Sequence, residues 1–364
     1  MRNMENMSGA SPGIESGRPG KEPFLSLIVP AYNEEAHIGN VLNDIAAQDY
    51  DSLRYEVLVA DGGSSDRTRE IVQRKVEELG AGRIRLIDNP RRYVPSGLNL
   101  AIGQSRGEVI VRMDAHSRYP KDYLSTLVRY LLELGADNVG GMWITLPADG
   151  SKKARAIALA LSHPLGVGNA SYRLGSNRVK EVDTVPYGCY RREVFDRIGL
   201  FDQQLLRNQD DEFNARLKRA GGKIFIIPQV KILYQARGDY TRLGRMYYQY
   251  GYFKPLVNRK IKLPANLRQL APVLLIVILL VLFLLGFWHR MFFWMGTGFL
   301  LFYTLVVLTV SFKLAITSAG GRELWKELVK SFLTVHFCYG WGYLKGVWDF
   351  LIWRKEPEKP QANR

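Results

Sequence analysis

Cysteine is nearly absent: the 364 residues hold two, Cys189 and Cys338. That excludes a disulfide scaffold and fits a reducing compartment. No Ser-His-Asp or Cys-His set is evident, so nothing argues for covalent catalysis. Large apolar side chains are scarce in residues 1–22, which therefore cannot bury enough surface to offset their ordering entropy. The same stretch has no apolar core of signal-peptide length. It is expected to be a disordered lead-in, with the globular part starting and staying in the cytoplasm. Acids are outnumbered, 35 against 50 Lys and Arg, and the resulting charge of +15 calls for an anionic partner. Nucleic acid is the poorest candidate, because the bases gather beside apolar runs and not along a solvent face with interleaved aromatics.

The first half alternates short apolar runs with helical spacing. Strands are expected at Phe24–Val29, Tyr55–Ala60, Arg83–Asp88 and Glu108–Met113, with helices at Glu34–Ala47, from Asp66 to Leu79 and at Leu98–Gln104. Such alternation indicates an α/β, Rossmann-like, mostly parallel sheet flanked by helices. Ligands of these sheets bind at the carboxyl ends of the strands. Beyond residue 120 the alternation weakens. Helices are expected at Asp122–Leu134, Ala154–Leu161 and Gln209–Arg219, and strands at Val139–Thr145, Val182–Tyr190 and Lys223–Ile227. Ser162–Asn177 is expected to be a mobile loop.

The last quarter changes solvent. Residues 270–288 and 291–312 hold no charged side chain, and each run is long enough to cross about 30 Å of hydrocarbon. Between Arg237 and Arg268 the bases face a single acid, Asp239, which places that segment on the cytoplasmic side. A third apolar stretch, 332–353, is interrupted by Lys345 and Asp349 and is expected to be interfacial or re-entrant. The expected layout is thus a lead-in at 1–22, a catalytic domain at 23–235 and basic interfacial linker helices at 236–269. A membrane region at 270–356 with two spans and a tail at 357–364 complete it.

Four polar constellations punctuate this frame. Pro30-Ala31-Tyr32-Asn33-Glu34-Glu35 follows the first strand, where Tyr32 can stack on a base and Glu34 can bind ribose; an exposed turn reads the same way. Asp61-Gly62-Gly63 follows the second strand. There Asp61 can accept the imide N–H of uracil, and the glycines admit close backbone approach. Asp114-Ala115-His116 follows the fourth strand, and its carboxylate and imidazole can bind one divalent ion bridging two phosphates. Nitrogen at the second position suits Mn2+ better than calcium, with Mg2+ open. Asp210-Asp211-Glu212 opens a helix, either as a general base for an acceptor hydroxyl or simply as acids at the positive end of the helix dipole.

In this order and spacing the strings PAYNEE, ADGGSSD, MDAH, YGCYRREVFDRIGLFD and NQDDEFNARLKRAGGKI resemble glycosyltransferase family 2, and within it the succinoglycan type of bacterial exopolysaccharide enzymes. The resemblance spans about residues 24–255. It implies a GT-A fold and inverting transfer of one sugar from a nucleotide-sugar, usually a UDP-sugar, to an acceptor expected to be a lipid-linked oligosaccharide at a lipid bilayer. Carried over by position, Pro30, Ala31, Tyr32, Glu34, Asp61, Gly97, Asn99 and Asp114 hold the nucleotide-sugar. Asp114 and His116 hold the metal, His116 replacing the family's usual second Asp. Asp211 is the catalytic base, and Tyr187, Gly188 and Asp210 lie on the acceptor side. Arg245 or Lys254 is expected to assist at the phosphates. Gln249-Tyr250-Gly251-Tyr252-Phe253 stands where processive members carry Gln-x-x-Arg-Trp, which argues for single additions. The rival expectation is a membrane scaffold that binds nucleotide-sugar without turning it over.

Overall fold

The computed structural model describes residues 22–80, 82–262, 267–318 and 321–357. The expected lead-in and tail fall outside these, apart from Glu22 and Pro357. Strands among the described residues are β1 (Leu25–Ala31), β2 (Tyr55–Asp61), β3 (Ile84–Asp88), β4 (Val109–Arg112), β5 (Ser117–Arg118), β6 (Asn138–Leu146), β7 (Lys180–Glu181), β8 (Cys189–Arg191) and β9 (Ile224–Gln235). The first helices are α1 (Ile38–Ala46), α2 (Thr68–Leu79), α3 (Val94–Gln104), α4 (Tyr123–Glu133), α5 (Lys152–Ala160), α6 (Pro164–Val167) and α7 (Ser171–Leu174). There follow α8 (Arg192–Ile198), α9 (Gln209–Arg219), α10 (Tyr240–Ile261), α11 (Ala271–Leu285), α12 (Arg290–Thr317) and α13 (Trp325–Gly346).

One sheet holds every strand, in the order β3-β2-β1-β4-β8-β6-β9-β5, with β7 beside β9. β1 and β2 are buried along their whole length, as near-continuous apolar strands with both faces covered must be. α1 and α4 cover Leu25, Leu27 and Val29 on one face. α3, α8 and α9 cover Ile28, Leu58 and Ile110 on the other. The α/β expectation holds, with a refinement. β3, β2, β1 and β4 run parallel, while β8 is antiparallel to both β4 and β6, and β9 runs parallel to β6. From central β1 the chain moves outward through β2 and β3, then returns to β4 on the other side. The carboxyl ends of β1 and β4 therefore form the switch point where such sheets bind ligands.

Two local expectations are corrected. Val182–Tyr190 is no continuous strand; only Lys180–Glu181 and Cys189–Arg191 pair. Pro186 has no N–H for a ladder, and Tyr187 turns the chain at φ 48°. Ser162–Asn177 contains the short helices α6 and α7 where a mobile loop was expected.

The carboxyl-terminal helices are built around α13. α10 lies against it at backbone contact: a Cβ on Gly251 would sit 2.0 Å from the Tyr339 carbonyl oxygen, and one on Gly342 would sit 2.2 Å from that of Tyr248. Of the two expected spans, α12 is long and apolar enough to cross a membrane, with Leu301, Phe302 and Leu305 exposed. α11 has 15 residues, about 22 Å of rise, and falls short of a hydrocarbon core by itself. The 332–353 stretch completes α13 and a following π-helical turn, Val347–Ile352, with Phe332 and Phe350 fully buried.

Candidate active site

At the switch point, strand register sets the residues out. Ala31 is level with Asp61, and Ile28 with Arg112, so Asp114 emerges at the same edge as Pro30, Ala31 and Asp61. The buried Glu34 carboxylate lies 3.7 Å from His116 Nδ1, a direct link between the loops that follow β1 and β4. Tyr32 packs its ring over Gly62, where an added Cβ would meet Cδ2 at 3.2 Å. Asp61 is fully buried and organises its own loop: its carboxylate accepts from Gly63 N (3.0 Å), Ser64 N (3.1 Å) and Arg69 Nη1 (2.8 Å). Asp61 thus holds the glycine turn against the strand ends and does not line the large cavity described below.

Gly97 and Asn99, expected at the nucleotide-sugar, are both buried in α3. A Cβ on Gly97 would stand 3.2 Å from that of Ala60. The Asn99 amide donates to Phe201 O (2.8 Å) and accepts from Phe201 N (3.0 Å), leaving it committed to tying α3 to the chain before α9.

The acids of β4 and α9 meet on a cation that sequence reasoning assigned no role. Arg112, almost wholly buried, donates from Nε to Asp114 Oδ1 (2.8 Å), from Nη2 to Asp114 Oδ2 (3.1 Å) and from Nη1 to Asp210 Oδ1 (2.5 Å). Its signal in the sequence was a charge closing a buried apolar strand, which is rare unless paired. Burial raises the Asp210 carboxyl above its ordinary value; Arg112 opposes this, and Asp114 and Asp211 add to it. Asp211, next along α9, is ion-paired with Lys254 of α10. The start of α9 is held in place by Asn208, in a left-handed conformation (φ 62°), whose amide donates to Tyr250 O at 2.9 Å. On the sheet side Phe213 stacks on Phe201 with centroids 4.4 Å apart.

Asp114, His116, Tyr187, Asp210, Asp211 and Lys254 all line one cavity of about 1090 Å³. It is also lined by Leu274, Leu275 and Ile278 of α11 and by Tyr339 of α13. Tyr187 is fixed by Ser117, whose hydroxyl donates to the phenol at 3.1 Å, and its ring lies 5.7 Å from the Arg112 guanidinium. Gly188 does not line the cavity; a Cβ there would be 2.3 Å from the Tyr190 ring, so it serves packing. Arg245 is exposed and lies about half a turn out of phase with Lys254 on α10, facing away from the cavity. Lys254 answers the acid Asp211, where a phosphate contact was expected.

The donors near the switch point suit a divalent ion in kind: a carboxylate from Asp114 and an imidazole from His116. Among the described residues no cluster of three or more His, Cys, Asp or Glu could hold a metal by itself. Two protein donors leave room for phosphate oxygens and water, the usual manner for an ion that arrives with a nucleotide diphosphate.

Comparison with known proteins agrees with this geometry. The profile described as "Glycosyl transferase family 2" matches residues 26–199. The succinoglycan biosynthesis protein ExoA of Rhizobium meliloti is 30% identical over 248 residues, covering 68% of this chain and 73% of that one. A Methanococcus voltae enzyme is 26% identical over 243 residues, 65% of this chain and 74% of its own; its name is dolichyl N-acetyl-alpha-D-glucosaminyl phosphate 3-beta-D-2,3-diacetamido-2,3-dideoxy-beta-D-glucuronosyltransferase. In fold, the chain resembles the mannosyltransferase PcManGT of Pyrobaculum calidifontis, solved with GDP-Man and Mn2+. There the TM-score is 0.57 at 19% identity, covering 91% of this chain and 89% of that one. With ExoA similar over most of its length and the acids gathered at the edge of a GT-A sheet, the chain belongs to glycosyltransferase family 2.

Proposed function

We propose that this glycosyltransferase moves one sugar, with inversion, from a UDP-sugar to a hydroxyl of a lipid-linked saccharide at the cytoplasmic face of a membrane, in the synthesis of an exopolysaccharide or other surface glycan. One observation carries the reading: a single cavity has Asp114, Asp210 and Asp211 in its wall and also reaches the apolar helices α11 and α13. An amphiphilic acceptor needs both environments. The name of the Methanococcus voltae relative points the same way, since it describes an acceptor sugar carried on dolichyl phosphate.

Asp211 takes the proton of the acceptor hydroxyl, whose oxygen attacks the anomeric carbon as the bond to the donor diphosphate breaks and its electron pair leaves with the phosphate. Inversion needs this one base and no sugar-enzyme bond. Lys254 pairs with Asp211 and fixes its orientation. Arg112 locks Asp114 and Asp210 in place, so α9 and the end of β4 act as one rigid frame. Asp114 and His116 would hold a Mn2+ or Mg2+ ion, which supplies charge neutralisation on the leaving diphosphate. Tyr32 and Glu34 sit where a nucleoside would lie at the ends of β1 and β2. In this reading residues 23–235 form the catalytic domain, α10 is the coupling helix, and α11 and α12 form a membrane hairpin.

The test uses full-length protein in detergent, UDP-sugars and lipid-linked saccharides, with product read by mass spectrometry and UDP release measured in parallel. Asp211→Asn should lower transfer by at least about 100-fold while UDP affinity stays within about twofold. Transfer by D211N at the wild-type rate would remove Asp211 as the base, and absence of UDP release from the wild type would favour a binding scaffold.

A further inference from the structure

We propose that Arg173 forms a phosphate subsite in this cavity, one that holds the phosphate of the lipid-linked acceptor. Arg173, on α7, is only 7% exposed and lines the cavity. Its Nη1 has no hydrogen-bond partner, and no carboxylate among the described residues pairs with it. What surrounds it is aromatic: its guanidinium carbon lies 4.4 Å from the Trp143 ring centroid, 5.2 Å from that of Tyr234 and 5.6 Å from that of Tyr172. Ring faces stabilise a cation but leave its N–H donors unmet and its charge uncancelled. A buried charge without a counter-ion is otherwise strongly disfavoured, and a guanidinium's fork of donors matches phosphate oxygens.

A second donor is stranded beside it. Trp143 Nε1 is buried without a partner, and the Trp143 ring also borders the cavity. The side-chain amide of Gln269, which lines the same cavity, is likewise unmatched at both its atoms. Three unsatisfied polar groups lining one cavity are exceptional where nearly all buried donors are paired. They are complementary to an anion with several acceptor oxygens.

Position narrows which anion. Trp143 stands 5.3 Å from Tyr187, and Tyr187 stands 5.7 Å from the Arg112 guanidinium that holds the catalytic acids. A layer of aromatic rings, the kind of surface on which a sugar ring stacks, thus separates Arg173 from Asp114 and Asp210. The donor diphosphate belongs on the far side of that layer, by Asp114 and His116. The same cavity is lined by the apolar Leu274, Leu275 and Ile278 of α11. Hydroxyl at the acid, sugar on the rings, phosphate at Arg173 and hydrocarbon against α11 is the order of groups in a polyprenyl-phosphate saccharide.

The subsite rests on the proposed lipid-linked acceptor, so its test is a binding measurement independent of turnover. Full-length protein in detergent is titrated with farnesyl diphosphate, farnesol and UDP, following intrinsic tryptophan fluorescence. Wild type should bind farnesyl diphosphate at least about tenfold more tightly than farnesol. Arg173→Gln should abolish that preference and Arg173→Lys should keep part of it, with UDP affinity unchanged in both. Trp143→Phe, which keeps the ring and removes Nε1, should weaken farnesyl diphosphate about threefold and provides the measurement should R173Q fail to fold. An undiminished preference in R173Q or W143F overturns the proposal. So does an equal loss of UDP binding in R173Q, which would give Arg173 to the donor, or displacement of farnesyl diphosphate by phosphatidylglycerol at equal concentration, which would make this a headgroup site. Binding that needs Arg173 alongside no transfer to any lipid-linked saccharide would sink the acceptor reading and leave the subsite standing.

Discussion

Replacing Arg112 with Gln tests whether the catalytic frame is held by charge. The wild-type guanidinium, 6% exposed, spends three donors on two carboxylates, Asp114 at 12% exposure and Asp210 at 27%. A glutamine in its place is neutral and has one amide to offer, so both carboxylates lose their shared counter-charge and face each other unscreened. Breaking a buried pair from one side costs about 3–5 kcal/mol. Asp210 retains some water, which puts the expectation at the low end, about 3 kcal/mol. At about 1–2 °C per kcal/mol for a chain of 364 residues, this is a fall in Tm of about 3–6 °C. Thermal unfolding of full-length protein in detergent, followed by fluorescence, measures it. The reasoning makes a sharper demand on the double variant R112Q/D210N, because removing one acid removes the repulsion that the first change exposed. Its loss should be smaller than the sum of the single losses by at least about 1 kcal/mol. An R112Q melting point within about 1 °C of wild type, or strict additivity in the double variant, refutes the electrostatic account.

Gly342→Ala should separate α10 from α13, because its Cβ would stand 2.2 Å from the Tyr248 carbonyl oxygen. The expected loss is about 1–3 kcal/mol in thermal unfolding, together with reduced transfer since α10 carries Lys254; an unchanged Tm means the helices yield freely. Glu56 carries the pH prediction. Burial pushes its carboxyl up, but the Arg106 backbone N–H, the Ser26 hydroxyl and the Arg106 and Arg85 guanidinia outweigh that and hold it below 4.5. A depressed folded value stabilises above the unfolded value and is lost as pH falls through the folded one. Glu56→Gln should therefore cost about 3 kcal/mol near neutral pH, with a gap to wild type that closes at pH values below 4.5; a gap independent of pH contradicts this.

Much of the site was readable where chemistry follows a strand end. Ala31, Asp61 and Asp114 emerge at one edge because the apolar runs before them are parallel neighbours, and each run was visible as a continuous block. α9 runs over Gln209–Arg219 as its spacing indicated. Reading failed where a residue's role depends on who sits opposite. That the Asn99 amide meets the Phe201 backbone, 102 positions away, has no local signal. Val182–Tyr190 had strand composition, but Pro186 and the positive φ of Tyr187 bend it into the cavity wall. The basic stretch before the apolar helices suggested phosphate binding, and of its two named residues Arg245 faces away while Lys254 pairs with an acid.

The amino-acid order alone determined the α/β alternation, the acids at the strand ends, the acidic start of α9 and the apolar final quarter, because each is a property of a short window with its own period or composition. Tertiary structure decided which of these groups share a cavity. Arg112 and Asp210 are 98 positions apart, and Lys254 and Asp211 are 43 apart, so no local pattern contains either pair. They meet because β4 lies at the switch point of the sheet and because glycine contacts between α10 and α13 hold α10 in place beside α9. Those facts reside in long-range packing, where one buried charge selects its partner only after the chain has folded around both.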